Sequence, residues 1–223
     1  MKAIILAGGR GKRLLPVTDY VPKPLVSINN IPILEWQIRY LKKFNVNEII
    51  ICTGYKTEMI ENYLTMRNNF GIKVTLSKEK SPLGTGGAIK KAIKKIRDKT
   101  FFVLNGDIIT DIDITKLTKT PNSIAAIELR TKYGIIEAEK DKITKFLEKK
   151  EVADLWMNAG LYYLSREVIE DLPDKGDIEK TMFPNYAKKN CLTIVKFKNV
   201  NWHSIDSFKD MEECSEKINK IIN

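Results

Sequence analysis

The sequence predicts an α/β fold: a Rossmann-like, mainly parallel sheet flanked by helices, with a small antiparallel lobe contributed by the second half. Three observations predict it. Up to residue 105, short β-branched runs alternate with segments of helical periodicity, the order that builds parallel sheets covered on both faces. Beyond residue 123, strand-like runs follow one another with little helix between them. No repeat, low-complexity tract or Pro/Gly/Ser-rich linker divides the 223 residues, so a single domain over 1–223 is expected, with halves meeting near residue 110.

Residues 3–6 read as a buried strand running into a glycine-rich loop. Residues 33–44 carry Leu34, Ile38 and Leu41 at helical spacing. Residues 48–52 give a second strand and 57–66 a second helix, with Thr57 as its N-cap. Residues 74–76 form a short strand, 87–96 a helix and 101–105 another buried strand. In the second half, 124–129, 134–138, 142–146 and 156–164 are strand-like. Residues 207–222 close the chain as a helix with Phe208, Met211, Ile218 and Ile221 on its apolar side. A sheet of this kind takes its ligands beyond the carboxyl ends of the parallel strands.

Composition removes several function classes. No apolar run approaches the ~20 residues a bilayer span needs. The apolar run in residues 1–9 is too short for a signal peptide, and glycines and charges come directly after it, so a cytoplasmic location is expected. Cys52, Cys191 and Cys214 show neither disulfide-framework nor zinc spacing, and Cys52 reads as a small buried hydrophobe. With His203 as the single histidine, no mechanism can use two. The formal charge of +10 points to acidic partners, either nucleic acid or phosphorylated small molecules. Lys90-Lys91 and Lys94-Lys95 lie at helical spacing without interleaved aromatics, which favours a solvated helix face over a nucleic-acid groove.

The strongest local signal is Leu6-Ala7-Gly8-Gly9-Arg10-Gly11-Lys12-Arg13-Leu14, directly after the first strand. Glycines let the backbone approach a phosphate and turn N–H groups toward it, and an arginine can fork onto phosphate oxygens. A dinucleotide fingerprint needs a third glycine where Leu14 stands, and a P-loop needs Ser or Thr where Arg13 stands. A triphosphate loop of another kind remains, against a glycine-rich turn with no ligand. Downstream, Pro22 and Pro24 hold their segment extended and fix where Lys23 points.

The glycine-rich run at 8–14, followed by Pro22-Lys23-Pro24, resembles the signature of the sugar-1-phosphate nucleotidyltransferase (nucleotidyl-diphospho-sugar pyrophosphorylase) family. The resemblance continues over essentially the whole chain. It implies the nucleotide-diphospho-sugar transferase fold, with a nucleotide-binding half over about 1–110 and a sugar-binding half over about 111–223. The antiparallel lobe belongs to the sugar side, and no left-handed β-helix domain of bifunctional relatives is expected. By the same resemblance, Leu6, Ala7, Gly8, Gly9, Gly11 and Lys12 hold the nucleotide, Arg13 grips the β- and γ-phosphates, and Lys23 binds phosphate. Lys12 stands where the family usually has threonine. Leu83-Gly84-Thr85-Gly86-Gly87-Ala88 is similar to the second nucleotide loop, giving Gly84 and Thr85. Asn105-Gly106-Asp107 resembles the metal-binding aspartate motif. Asn105, Gly134, Glu148, Lys149 and Asn158 match the sugar-phosphate stations in order. The second metal ligand is expected at Asp206, in Trp202-His203-Ser204-Ile205-Asp206-Ser207. An alternative register would put it at Ser204, whose hydroxyl is a poor anchor for Mg²⁺.

The resemblance implies an Mg²⁺-dependent enzyme acting on an NTP and a sugar 1-phosphate, without nucleic acid or membrane, and compatible with a homo-oligomer. Catalytic roles fall to Arg13, Lys23 and Asp107. Glu79 lies where uridylyl- and thymidylyltransferases carry glutamine. A carboxylate only accepts hydrogen bonds, which suits the N1–H and N2–H of guanine. Glu79 and the Pro-Leu-Gly-Thr after it are similar to guanylyltransferases for mannose- and heptose-1-phosphate, whereas the Asp206-Ser207 ending resembles cytidylyltransferases. GTP is preferred, with CTP, UTP and dTTP as alternatives. A non-catalytic nucleotide-sugar-binding regulatory protein is the competing class. It would be expected to lose Arg13, Asp107 or Lys149, and all three are present.

Overall fold

The structure, a computed structural model, describes residues 1–131, 133–147 and 151–218. In chain order come β1 (Lys2–Ala7), α1 (Val17–Tyr20), β2 (Ser27–Ile28), β3 (Ile31–Pro32), α2 (Ile33–Lys43), β4 (Glu48–Thr53), α3 (Thr57–Met66), β5 (Lys73–Lys78) and α4 (Gly84–Ile93). Beyond them lie β6 (Thr100–Asn105), β7 (Ile108–Thr110), β8 (Ser123–Arg130), β9 (Ile135–Glu139), β10 (Lys142–Leu147), β11 (Glu151–Ser165), α5 (Met182–Lys188), β12 (Thr193–Phe197), β13 (Trp202–Ser204) and α6 (Phe208–Lys217).

Seven strands form one sheet in the order β12-β8-β11-β6-β1-β4-β5. The pairs β1–β4, β1–β6, β4–β5 and β12–β8 are parallel, and β11 runs against both its neighbours. The chain steps outward from β1 to β4 and β5, then crosses back to β6 on the other side of β1. Loops leaving β1 and β6 therefore diverge, and the crevice between them is where such sheets bind ligands.

The apolar runs read as strands because both sheet faces are covered. Successive side chains of β1 part company: Ile5 joins Leu34, Ile38 and Ile60 under α2 and α3, while Ile4 joins Ile89, Ile93 and Val103 under α4. The α2 helix ends at Asn45 in the left-handed region (φ 58°), with Val46 N–H donating to the Leu41 carbonyl and Asn45 N–H to Lys42, a Schellman-type stop.

Several sequence expectations need correction. Thr57 is not the N-cap of α3: Lys56 holds that position, and the Thr57 hydroxyl instead donates to the Gly54 carbonyl. The α4 helix starts at Gly84 rather than Gly87, and β5 spans six residues rather than three. The strands β8, β11 and β12 extend the main sheet; outside it, the second half contributes the antiparallel hairpin β9–β10 and, in β13, one strand of a two-stranded ribbon with β7. Cross-strand pairing of β11 with β6 overrides the segregation suggested by sequence order. No helix among the described residues is long and apolar enough to cross a membrane.

Candidate active site

The site grows out of the switch point between β1 and β6. After Ala7 the chain turns through Gly8, Gly9 and Gly11, the last at φ 68° and packed so closely that a Cβ there would lie 2.9 Å from Lys23 Cβ. The Thr18 hydroxyl holds the Gly11 carbonyl at 3.0 Å. The 3-10 turn after it, Lys12–Leu14, buries Leu14 and leaves Lys12 and Arg13 exposed. The segment of the two prolines is a turn and not extended as its prolines suggest: Lys23 opens a 3-10 helix, Lys23–Leu25, because the fixed φ of Pro24 suits its first turn, and only Pro22 before it is extended.

Across the crevice, β6 ends at Asn105 and the chain presses against β1: a Cβ on Gly106 would sit 2.1 Å from the Leu6 carbonyl oxygen. Only glycine fits there, and Asp107 comes next in the chain. The β7–β13 ribbon then returns a distant part of the chain to the same place, with Ile205 N–H donating to the Asp107 carbonyl at 2.9 Å.

Three segments meet on one point. Lys23 Nζ donates to Asp107 Oδ2 at 2.9 Å and to Asp206 Oδ1 at 2.7 Å, and the Arg13 guanidinium reaches the same Asp206 oxygen at 2.8 Å. Ser204 does not replace Asp206; its hydroxyl donates to Asp206 Oδ2 at 3.3 Å. Both carboxylates are half-buried. Two aspartates facing one position form a donor set that suits a divalent cation completed by substrate phosphate oxygens.

Two clefts adjoin at this point, sharing Leu6, Gly9, Gly106 and Asp107. The smaller, about 290 Å³, is lined by Gly11, Lys12, Arg13, Lys23 and Asp206. The larger, about 590 Å³, runs past Gly8, Tyr55, Glu79, Gly84, Thr85 and Asn105. Glu79 is fixed there by its own N–H to the Thr53 carbonyl (2.7 Å) and by Leu83 N–H donating to its Oε2 (3.2 Å). Burial is the main cause that raises its carboxyl above the usual range, against smaller opposing effects of the Leu83 N–H and Lys91. Cys52 also borders this cleft, and burial pushes its thiol far up, which keeps it inert.

The loop at 83–88 serves differently from a phosphate cradle. The N–H groups of Gly86 and Gly87 donate to the Gly176 carbonyl at 2.9 and 3.3 Å, so these donors at the start of α4 are spent inside the protein. Gly84 and Thr85 still line the cleft. The Thr85 hydroxyl donates to Glu179 Oε2 at 2.6 Å, and Glu179 Oε1 accepts from the Tyr162 hydroxyl at 3.3 Å. Asn158 Nδ2 donates to that hydroxyl at 2.9 Å, and Asn158 Oδ1 accepts from Gly160 N–H. Thr85 and Asn158, expected on opposite substrates, are thus ends of one chain of hydrogen bonds.

Among the described residues, Gly134, Asn158 and His203 line neither cleft. Glu148 and Lys149 lie outside the described residues. Asn105 borders the larger cleft, with its Oδ1 buried and lacking a partner among the described residues.

The functional residue least visible in the sequence is Gln37, on α2 and 1% exposed. Its Nε2 donates to the carbonyls of Asn105 (2.8 Å) and Ile108 (2.9 Å), the two that bracket the Gly106-Asp107 turn. The only signal is a lone amide beside the Leu34/Ile38/Leu41 stripe. Gln37→Met keeps the length and loses both donors, so it should cost about 1–3 kcal/mol of stability, readable by thermal unfolding. Turnover should fall more than substrate affinity, because the displaced turn carries Asp107; equal losses in both would contradict that.

The chain is similar to known proteins. A family model described as nucleotidyl transferase matches residues 2–221. The D-glycero-alpha-D-manno-heptose 1-phosphate guanylyltransferase of Campylobacter jejuni is 39% identical over 197 residues, 84% of this chain and 87% of that protein. The mannose-1-phosphate guanylyltransferase catalytic subunit beta of Xenopus tropicalis is 35% identical over 225 residues, 94% of this chain but 62% of the relative. The chain thus spans about three fifths of the mannose-1-phosphate relatives it matches. The crystal structure of HddC from Yersinia pseudotuberculosis complexed with GMP-PN superposes with a TM-score of 0.76 at 32% identity, covering 97% of this chain and 99% of that one. With its switch-point crevice and the matched length together, the chain belongs to the nucleotidyl transferase family.

Proposed function

We propose that the chain transfers a guanylyl group from GTP to a sugar 1-phosphate of mannose or heptose type and releases pyrophosphate. The observation that carries this is the meeting of Arg13, Lys23, Asp107 and Asp206 where the two clefts join, with Glu79 lining the larger one. The guanylyltransferase relatives and the GMP-PN complex of HddC support the choice of base.

In this reading the larger cleft takes guanine, with Glu79 accepting from its N1–H and N2–H, and the smaller cleft takes the triphosphate. Gly8, Gly9 and Gly11, with the flanking Leu6 and Ala7, bring backbone close to the phosphates. Arg13 and Lys12 neutralise the departing pyrophosphate. Lys23 and Lys149 bring two mutually repelling phosphates together, while Asn105 and Glu148 select the sugar and Asn158, whose amide is held by Tyr162 and Gly160, supports them from behind the cleft. Asp107 and Asp206 would hold Mg²⁺, which supplies charge neutralisation on the reacting phosphates.

No protein nucleophile is needed. The sugar phosphate is largely dianionic near neutrality, its second pKa being about 6. One of its oxygens bonds to the α-phosphorus as the bond to the bridging oxygen of pyrophosphate breaks, and that electron pair leaves with pyrophosphate. Such chemistry depends on positioning and charge neutralisation, which these residues supply.

The reverse reaction tests the assignment. A GDP-sugar of mannose or heptose type incubated with pyrophosphate and Mg²⁺ should yield GTP; failure with every GDP-sugar offered would sink it. Arg13→Ala should lower turnover by about 10²-fold, the scale of losing one donor to a developing charge. A loss confined to sugar affinity would contradict the role given to Arg13.

Glu79 adds a pH dependence. Only its ionised form accepts from both N1–H and N2–H, the protonated acid turning one oxygen into an opposed donor, and its carboxyl is raised by burial. Above that raised value GTP binds fully; as pH falls through it, the acceptor is protonated and the GTP KM climbs. The climb should begin at higher pH than an ordinary glutamate gives, and kcat/KM for GTP against pH reads it. Glu79→Gln should abolish this limb.

A further inference from the structure

Asp107 and Asp206 are not open to solvent cations on equal terms with any surface carboxylate pair. They face two built-in cations, Lys23 bonded to both and Arg13 bonded to one. The two bases differ in how firmly they are held. The Lys23 side chain is 14% exposed, sits in a turn flanked by prolines and packs on Gly11, whereas the Arg13 side chain is 74% exposed. A half-buried, hydrogen-bonded ammonium is weakly screened, so Lys23 supplies most of the neutralisation.

Asp206 Oδ1 already carries both Lys23 and Arg13, and a divalent cation seated on these oxygens would add two further positive charges within a few ångströms of the firmly held Lys23 ammonium, at a strong cost in repulsion. For a divalent cation to enter, Lys23 must give up both bonds, and its charge then needs another anion. Lys23 also lines the smaller cleft, alongside Gly9, Gly11, Lys12 and Arg13. A phosphate group bound in that cleft is the anion within its reach.

Resting on the assignment of Asp107 and Asp206 as the metal pair, we propose that Lys23 is a positioning residue that holds the two aspartates together and bars a divalent cation until a substrate phosphate draws it away. Cation and phosphate then bind with positive coupling, and by reciprocity each strengthens the other. The cation enters with the phosphate and not ahead of it.

The test is Mn²⁺ binding to the metal-stripped full chain without nucleotide, read from the EPR signal of free Mn²⁺. Lys23→Met should bind Mn²⁺ at least about tenfold more tightly than the native protein, although its turnover falls. Lys23→Arg, which keeps the charge, should stay close to the native affinity. Added Mg²⁺ should raise the melting temperature of Lys23→Met and leave that of the native protein nearly unmoved. If Lys23→Met gives no cooperative melt, Lys23→Gln, which keeps a hydrogen-bonding group without charge, replaces it with the same expectation. Equal Mn²⁺ affinities for the native and neutral variants would overturn the proposal. Adding Asp107→Asn to Lys23→Met separates the two assignments. If Asp107→Asn in that background leaves Mn²⁺ affinity unchanged, the metal pair itself is wrong. If it removes binding while Lys23→Met alone tightened nothing, only the barring role is lost.

Discussion

Asp107→Asn should lower turnover by about 10³-fold, equivalent to about 4 kcal/mol of transition-state stabilisation, while leaving the protein folded. The substitution keeps the shape and removes a charge. Backbone contacts position residue 107: Gly106 against the Leu6 carbonyl, Ile205 N–H on the residue's own carbonyl, and Gln37 on the carbonyls either side. None of these contacts uses the carboxylate, so the turn survives the change. The bond from Lys23 Nζ loses its charge at residue 107, but an amide oxygen still accepts there and Lys23 keeps Asp206 as its ionised partner, so folding is retained. A pyrophosphate-release assay beside a thermal melt checks both halves. Near-native turnover would remove Asp107 from the reaction, and loss of the cooperative melt would make it a structural residue instead.

The second large effect is on choice of base. Glu79→Gln should lower kcat/KM for GTP by about 10²-fold or more, because a site built to accept from two donors then offers one acceptor and one opposed N–H. The introduced amide can both donate and accept, as a uracil or thymine edge requires, so the same variant should lose less with UTP or dTTP. Folding should not suffer, since the charge removed is one that burial already disfavours, and an amide oxygen can keep the bond from Leu83 N–H. Unchanged GTP preference in the variant would show that Glu79 does not read the base.

Much of the fold and part of the site are legible in the sequence. The parallel core comes from apolar runs that only make sense buried on both faces, and Arg13 comes from a glycine loop whose chemistry is local, whereas the roles of Lys23 and Asp107 come from the resemblance of their motifs to the family signature. Contacts between distant segments are not legible. Nothing in the run 151–165 says that it inserts antiparallel beside β6, because its alternation suits either an edge or an interior strand. Gln37 and Glu179 act through backbone carbonyls and a threonine many residues away, and such partners leave no periodic trace. The 83–88 loop is plainly glycine-rich, but its donors are claimed by Gly176, a contact that only the fold creates. Asp206 is reached from the family resemblance, with chemistry choosing it over the Ser204 hydroxyl as a cation ligand, and the ribbon of β7 and β13 sets it against Lys23 opposite Asp107.

The most direct test is a pyrophosphate-release screen of GTP, CTP, UTP, dTTP and ATP against mannose-, heptose- and glucose-type sugar 1-phosphates with Mg²⁺. Release should be fastest with GTP, depend on a mannose- or heptose-type sugar phosphate, and vanish with EDTA. Release with no sugar 1-phosphate present, or a clear preference for CTP, UTP or dTTP over GTP, would contradict the assigned reaction or base respectively.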